Sequence, residues 1–198
     1  SFIVCTAPLI TLILALFFFK SVKASVPVVV GSLLALVGVG IVIFNGHFVL
    51  HLDPLGDFLA LAAATSWAIY SLVMKNFSAR YSSVFITRKV FFYGLITIMP
   101  VFAVHPWSFA FEDLLNPSIG LNLLYLSVIA SFVCFAAWSW VISRLGALRA
   151  SNYIYFNPVT TVIMSALVLN EHMTSIAFVG SAMILLGVFV SNKAKNIG

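Results

Sequence analysis

The segment ASNYIYFNPVTTVIMSALVLNE, residues 150–171, decides the fold of this chain. Apart from hydroxyl and amide groups it is apolar up to its last residue. About 20 residues at roughly 1.5 Å rise match the roughly 30 Å hydrocarbon core of a bilayer. Pro158 removes a backbone hydrogen-bond donor and clashes with the carbonyl group of Ile154, four residues back. The segment is therefore predicted to be a transmembrane helix that bends at Pro158.

Polar side chains occupy one face of this predicted helix. They recur at helical spacing, at Tyr153, Asn157, Thr161 and Ser165. Because lipid offers no hydrogen bonds, this face is predicted to meet protein or a water-filled cavity. Tyr153, Asn157 and Thr161 are the leading candidates for contact with a bound solute. The alternative is that the Asn157 amide satisfies the bent backbone.

The same pattern occurs near the start of the chain, in SFIVCTAPLITLILALFFFKS at residues 1–21. Pro8 precedes Pro158 by 150 residues, and Thr11 precedes Thr161 by the same offset. In the helices that follow, two glycine pairs repeat at 149 residues: Gly31 with Gly180, and Gly38 with Gly187. These matches indicate an internal repeat. Glycines let helix backbones approach closely, so they are predicted to pack helices, with dimerisation through them left open.

Composition indicates a membrane protein, since 63% of the residues are hydrophobic and only 8% are charged, whereas soluble domains carry about 25% charged residues. Cys5 and Cys134 lie in apolar spans and are interpreted as buried small residues rather than a disulfide or metal pair. The predicted class is an all-α, polytopic integral membrane helical bundle. Its seven transmembrane helices are 2–19, 26–44, 57–75, 87–104, 120–143, 150–169 and 175–191.

The distribution of charge supports this number of spans. When successive connections are assigned to alternate sides, all 10 Lys and Arg residues fall on one side and all five acidic residues on the other. The basic side is predicted to be cytoplasmic, so the chain starts outside and its C-terminus is cytoplasmic. The net charge of +5 is then explained by topology, and no nucleic-acid partner is expected.

The repeat has an orientation. Its two copies are five spans apart, an odd number, so they cross the membrane in opposite directions. Inverted repeats are typical of secondary transporters. Residues 1–45 are interpreted as the last two helices of a first five-helix repeat, and residues 57–192 as a complete second repeat. Three further spans are expected before Ser1, in a parent protein of ten helices.

Two stretches carry a resemblance to a known family: TSWAIYSLVMK at 65–75, and YFNPVTTVIMSALVLNEHMTSIAFVGSAMILLGV at 155–188. They resemble the ten-helix EamA-type permeases of the drug/metabolite transporter superfamily. The resemblance implies export or uptake of small metabolites, often amino acids, without ATP hydrolysis, and location in a bacterial inner membrane. One departure is Glu171, an acidic residue of the pattern, whose counterpart in the first copy is Ser21.

Two further spans carry candidate solute contacts. In the third, Trp67 and Tyr70 could stack on a solute and Ser71 could hydrogen-bond it, or all three could fill contacts between helices. In the fifth, Ser131 and Trp138 share a predicted face with Ser127 and Cys134, although small polar residues also join membrane helices structurally. Thr11 is included as the repeat counterpart of Thr161.

The predicted function is secondary transport of a small neutral or zwitterionic solute, because no span carries an acidic residue in its interior. The two inverted units are predicted to rock against each other, with bends at Pro8 and Pro158. The alternative is a non-transporting scaffold or assembly subunit. No enzyme activity, cofactor or metal is predicted, since no nucleophile has a nearby base and His47 and His51 lie in a loop.

Overall fold

The computed structural model describes residues 3–18, 25–44, 54–104, 116–168 and 174–193, and these residues contain helices and no β-strand. The all-α class is thus confirmed. The α-helices are α1 (Ala7–Phe18), α2 (Val26–Phe44), α3 (Pro54–Ser78), α4 (Ser83–Val104), α5 (Pro117–Leu124), α6 (Cys134–Leu145), α7 (Ala147–Asn152), α8 (Phe156–Val168) and α9 (Ser175–Lys193). A π-helical segment, Tyr125–Val133, joins α5 to α6 into one rod.

Each predicted span has a helical counterpart. Among the described residues, five helices are long and apolar enough to cross a membrane, and the helix Val4–Phe18 is apolar but shorter. Several predicted ends are wrong by a few residues: α3 begins at Pro54 rather than 57, and α4 at Ser83 rather than 87. The early start of α3 has a local cause, because Pro54 suits the first helical position and Asp57 lies in the positive first turn.

A 3₁₀ turn stands immediately before each of the two helices that carry the repeat-related prolines. A 3₁₀ turn, Tyr153–Tyr155, separates α7 from α8, and a second 3₁₀ turn, Val4–Thr6, precedes α1. The two residues four positions before the prolines, Ile154 and Val4, lie within these turns. The helix predicted over 150–169, with a bend at Pro158, is thus interrupted by a 3₁₀ turn just before that proline. The cause is the one predicted, since the carbonyl four residues before a proline has no amide to accept from.

The chain divides into two compact units, one of residues 1–75 and 145–198 and one of 76–144. In the first unit, a Cβ added to Gly31 would lie 2.5 Å from the carbonyl oxygen of Gly187, and one added to Gly38 would lie 2.7 Å from that of Gly180. Helices α2 and α9 are thus antiparallel and in backbone contact. The offset of 149 residues relates Gly31 to Gly180 and Gly38 to Gly187. It therefore turns the contact between Gly31 and Gly187 into the contact between Gly180 and Gly38, as an inverted repeat requires.

Two clusters of buried side chains stabilise the first unit. One joins α2 and α9 to the proline helices: Cys5, Ala35, Val39, Val42, Tyr155, Val159, Ile184 and Val188. The other joins α1, α2, α3 and α7: Leu12, Ala15, Val28, Leu72, Ala147 and Leu148. In the second unit, the rings of Phe91 and Phe135 lie edge to face, with centroids 5.4 Å apart.

Candidate functional site

A groove of about 420 Å³ lies beside the kinked helix α8 in the first unit. The 3₁₀ turn before α1, the last turn of α2 and the first half of α8 form its walls. The lining residues are Val4, Cys5, Val42, Ile43, Asn157, Pro158, Thr161 and Val162. The structure therefore brings two of the predicted contacts, Asn157 and Thr161, together with the predicted kink at Pro158.

The backbone carbonyl group of Asn157 accepts side-chain hydrogen bonds from two threonines. The hydroxyls of Thr160 and Thr161 each donate to the backbone carbonyl oxygen of Asn157, at 2.9 Å in both cases. Such hydrogen bonds from a threonine to a carbonyl group one turn back often bend a helix. Asn157 itself is exposed on the groove wall. Its amide can therefore offer two donors and one acceptor to a solute.

The rest of the groove wall is mainly aliphatic, with Val4, Val42, Ile43 and Val162 facing the same space as the amide. None of the described residues that line the groove carries a formal charge. Without a fixed charge, the wall offers no ion-pair partner to a charged solute at membrane depth. The arrangement suits a small molecule with one hydrogen-bonding end and an aliphatic body.

The first repeat copy carries the same backbone device in a closed setting. The hydroxyl of Thr11 donates to the carbonyl oxygen of Ala7 at 2.8 Å, as Thr161 does to Asn157. Thr11 is fully buried, and its hydroxyl oxygen lies 3.4 Å from that of Ser151. The structure thus places Thr11 outside the groove, and its role as a solute contact stays a prediction.

Three more candidates of the first unit lie outside the groove lining. The rings of Trp67 and Tyr70 are half-buried and tilted at 41°, with centroids 5.5 Å apart. Ser71 is fully buried in the same helix, and its hydroxyl has no hydrogen-bond partner among the described residues. These three residues form a compact group on α3, and their contact with a solute stays a prediction.

Tyr153 is not among the residues that line the groove. It is exposed and contacts the ring of Phe156, with centroids 5.9 Å apart. A 3₁₀ turn advances about 120° per residue rather than about 100°, so the turn rotates Tyr153 off the predicted common face.

The remaining candidates belong to the second unit or lie outside the described residues. Ser131 is half-buried within the π-helical segment, and Trp138 is half-buried in α6. Their predicted common face assumed α-helical spacing, which the π segment does not keep. Glu171, His47 and His51 lie outside the described residues. Within the described part of the chain no group of three potential metal ligands is present.

Five lining residues were not predicted as solute contacts: Val4, Cys5, Val42, Ile43 and Val162. Aliphatic side chains are common in every membrane helix, so their identity carries no functional signal. Their position does carry a functional signal, because Val4 is four residues before Pro8. Val42 and Ile43 lie in the last turn of α2, the helix that carries Gly31 and Gly38. The repeat register could therefore have identified them.

The antiparallel glycine-bearing helices, the 3₁₀ turn before each repeat-related proline and a groove with one amide among aliphatic side chains are features of helical membrane proteins built from inverted repeats. The EamA-like transporter family matches residues 54–193, well over half of the chain. The chain belongs to the EamA-like transporter family, as its resemblance predicted.

Curated relatives agree with this assignment. The chain is 26% identical to a "Probable amino-acid metabolite efflux pump" of Escherichia coli (strain K12), over 81% of this chain and 56% of the relative. It is 22% identical to a "Probable terminal-alkyne amino-acid exporter" of Streptantibioticus cattleyicolor, over 98% of the chain and 63% of the relative. It is 25% identical to an "Uncharacterized transporter" of Archaeoglobus fulgidus, over 84% of this chain and 57% of the relative. The chain thus spans between half and two-thirds of the length of these relatives.

Proposed function

We propose that the full-length protein containing this chain is a secondary transporter that exports a small amino acid or related metabolite by alternating access. The observation that carries the proposal is the groove at the kink of α8, where the Asn157 amide faces aliphatic walls without a fixed charge. A neutral or zwitterionic solute with an aliphatic side chain fits such a wall. The names of the Escherichia coli and Streptantibioticus relatives, both of which refer to amino acids, support this solute class.

The proposal includes an orientation and a division into repeats. The end of the bundle that carries Lys75, Arg149 and Lys193 is cytoplasmic, which the positive-inside rule supports. The groove then lies in the outer half of the bundle, and the C-terminus is on the cytoplasmic side of a bacterial inner membrane. Residues 1–45 are the end of a first repeat and 57–192 a second, which the family match over 54–193 supports.

The mechanism we propose uses the two proline helices as the moving parts. Each contains a 3₁₀ turn, where helical hydrogen bonding is incomplete and bending is easy. Helices α2 and α9 hold each other through backbone contacts at four glycines, which makes them a rigid reference. Bending of α1 and α8 against this pair exposes the solute to one side and then to the other.

Counterflow tests the function. The full-length protein is reconstituted into proteoliposomes that are preloaded with pooled amino acids and small metabolites. Efflux of each compound is measured by mass spectrometry. We expect selective efflux of one compound or a few related ones, and its loss in Asn157→Ala. The matched control is Asn76→Ala, the same truncation at an exposed position. Efflux of nothing from well-folded protein, or equal efflux from Asn157→Ala and wild type, would reject the proposal and favour a scaffold role.

A further inference from the structure

One side of α4, in the second unit, carries aromatic rings and a cation in a regular row. Phe85, Lys89 and Tyr93 are spaced four residues apart, so they follow one ridge of the helix. Tyr81, just before α4, extends the row, because its ring stacks on that of Phe85 with centroids 5.2 Å apart. Nζ of Lys89 lies 6.0 Å from the centroid of Phe85 and 5.9 Å from that of Tyr93. The ammonium group is therefore held between two rings.

A second cation shares the same ring. Cζ of the Arg88 guanidinium lies 5.3 Å from the centroid of Phe85, so Phe85 positions both cations. Arg88 and Lys89 are exposed. The described part of the second unit also contains the basic residues Arg80 and Arg144, and it contains no acidic residue. Two neighbouring positive charges are thus fixed on a ring, and no carboxylate in that part of the unit neutralises them.

An apolar row continues from the cations toward the middle of α4. It consists of Phe92, Ile96 and Met99, which follow Arg88 at spacings of four, four and three residues. These three side chains are between 52% and 60% exposed. Eleven residues at about 1.5 Å rise give the row a length of roughly 16 Å. A pair of cations joined to an exposed apolar row matches the phosphate and the acyl chain of a phospholipid.

Helix α4 packs within its unit through other sides. Its buried residues are Ile86 and Thr87, which at about 100° per residue lie roughly 100° and 200° from Phe85 around the helix. The ring of Phe91, which contacts that of Phe135, lies roughly 120° from Phe85 in the other direction. The contacts of α4 within the unit therefore leave the cations and the apolar row on a side of their own.

The depth of the cations suits a lipid headgroup. Helix α4 is apolar enough to cross a membrane, and its 22 residues measure roughly 33 Å, close to the thickness of a bilayer core. Arg88 and Lys89 follow its first residue, Ser83, by five and six positions, which is roughly 8 Å of helix. From this depth a long basic side chain reaches the headgroup layer while its stem stays in apolar surroundings.

We propose that Arg88 and Lys89, positioned by Phe85, bind the phosphate of an anionic phospholipid whose acyl chain lies along the apolar row. Basic clusters at the end of a membrane helix attract anionic lipids. A signal for orientation in the membrane needs charge alone, whereas the shared ring also fixes where the two charges lie. A zwitterionic lipid fits less well, because its own cationic group is repelled by the pair. This site goes beyond the proposed transport function and does not depend on it.

Native mass spectrometry of the full-length protein tests the site. The protein in detergent is titrated with phosphatidylglycerol or with phosphatidylcholine of identical acyl chains, and the bound lipids are counted. We expect phosphatidylglycerol to bind about fivefold or more tightly than phosphatidylcholine. Joint replacement Arg88→Gln and Lys89→Gln should weaken phosphatidylglycerol binding by about tenfold to thirtyfold, since each cation near a membrane surface contributes about fivefold. The control Lys193→Gln, which removes a cation of α9, should bind as wild type does.

A variant that keeps every charge separates this site from general attraction. Phe85→Leu removes the shared ring and should weaken phosphatidylglycerol binding by about threefold or more, with phosphatidylcholine unaffected. It also serves if the double variant fails to fold. Excess inorganic phosphate should not displace the lipid, and displacement would indicate a site for a soluble anion instead.

Three results would overturn the proposal. The first is equal binding of the two lipids by the wild-type protein. The second is wild-type affinity for phosphatidylglycerol in both the double variant and Phe85→Leu, as expected if protein covers this side of α4. The third is an equal loss in Lys193→Gln. Counterflow, measured separately, decides the transport function whatever the lipid result.

Discussion

Substitution of Gly31 by alanine tests the contact between α2 and α9 most severely. The added Cβ would lie 2.5 Å from both the carbonyl oxygen of Gly187 and the amide nitrogen of Ser191, and 2.8 Å from the Cα of Ser191. All three are backbone atoms, so no side-chain rotation relieves the overlap. The matched control is Gly94→Ala, because a Cβ at Gly94 meets nothing within 4 Å.

The size of the effect follows from this geometry. Ordinary van der Waals contact begins near 3.4 Å, so the two helices must separate by about 0.9 Å at Gly31. Overpacking of this kind costs about 1–3 kcal/mol. Replacing a helical glycine recovers about 0.5–1 kcal/mol. Because all three close atoms are backbone, the upper end of that cost applies, and we expect Gly31→Ala to lower the free energy of unfolding by about 2–2.5 kcal/mol. Gly94→Ala should leave it unchanged or raise it by up to about 1 kcal/mol.

The assay is unfolding of the full-length protein in mixed micelles, followed by circular dichroism at increasing denaturant. Both variants are compared with wild type in the same lipid and detergent. If Gly31→Ala and Gly94→Ala unfold at the same denaturant concentration, the backbone contact between α2 and α9 is not present in the protein. The inverted helix pair on which the mechanism depends would then be refuted.

Three further substitutions have distinct expected outcomes. Pro158→Ala should stabilise the protein by about 1–3 kcal/mol and reduce transport, since a restored backbone bond straightens α8; thermal unfolding and counterflow measure the two effects. Thr161→Val should reduce transport more than Thr160→Val, because both hydroxyls bond the Asn157 carbonyl but only Thr161 lines the groove; equal losses would contradict this. Ser71→Ala should raise stability by about 1 kcal/mol in chemical unfolding, since it removes a buried hydroxyl without a partner among the described residues; lower stability would contradict that placement.

The sequence predicted the spans and the repeat because both rest on strong physical signals. A bilayer demands long apolar segments, and proline and glycine recur at offsets of 150 and 149 residues. The break beside Pro158 followed from the missing amide donor and the clash with Ile154. Asn157 was predicted because an amide at membrane depth requires a polar partner or a cavity.

Other features depended on packing that no short pattern encodes. Tyr125–Val133 contains neither proline nor glycine, yet it is π-helical. Tyr153 does not line the groove, and the 3₁₀ turn in which it lies changes the angular spacing on which its predicted face depended. The aliphatic groove wall at Val42 was not predicted, since valine looks alike in a wall and in a lipid-facing position.

Protection of a groove thiol by the transported solute tests the central claim most directly. Val4 lines the groove and is 46% exposed, whereas Cys5 is buried, so Val4→Cys is the groove reporter. Asn76→Cys, at an exposed position, is the control. Labelling of each variant of the full-length protein is measured over a range of concentrations of the solute that counterflow identifies. If the groove is the transport site, labelling of Val4→Cys slows with a midpoint near the transport KM while labelling of Asn76→Cys stays constant. An unchanged rate for Val4→Cys at saturating solute would show that the solute binds elsewhere.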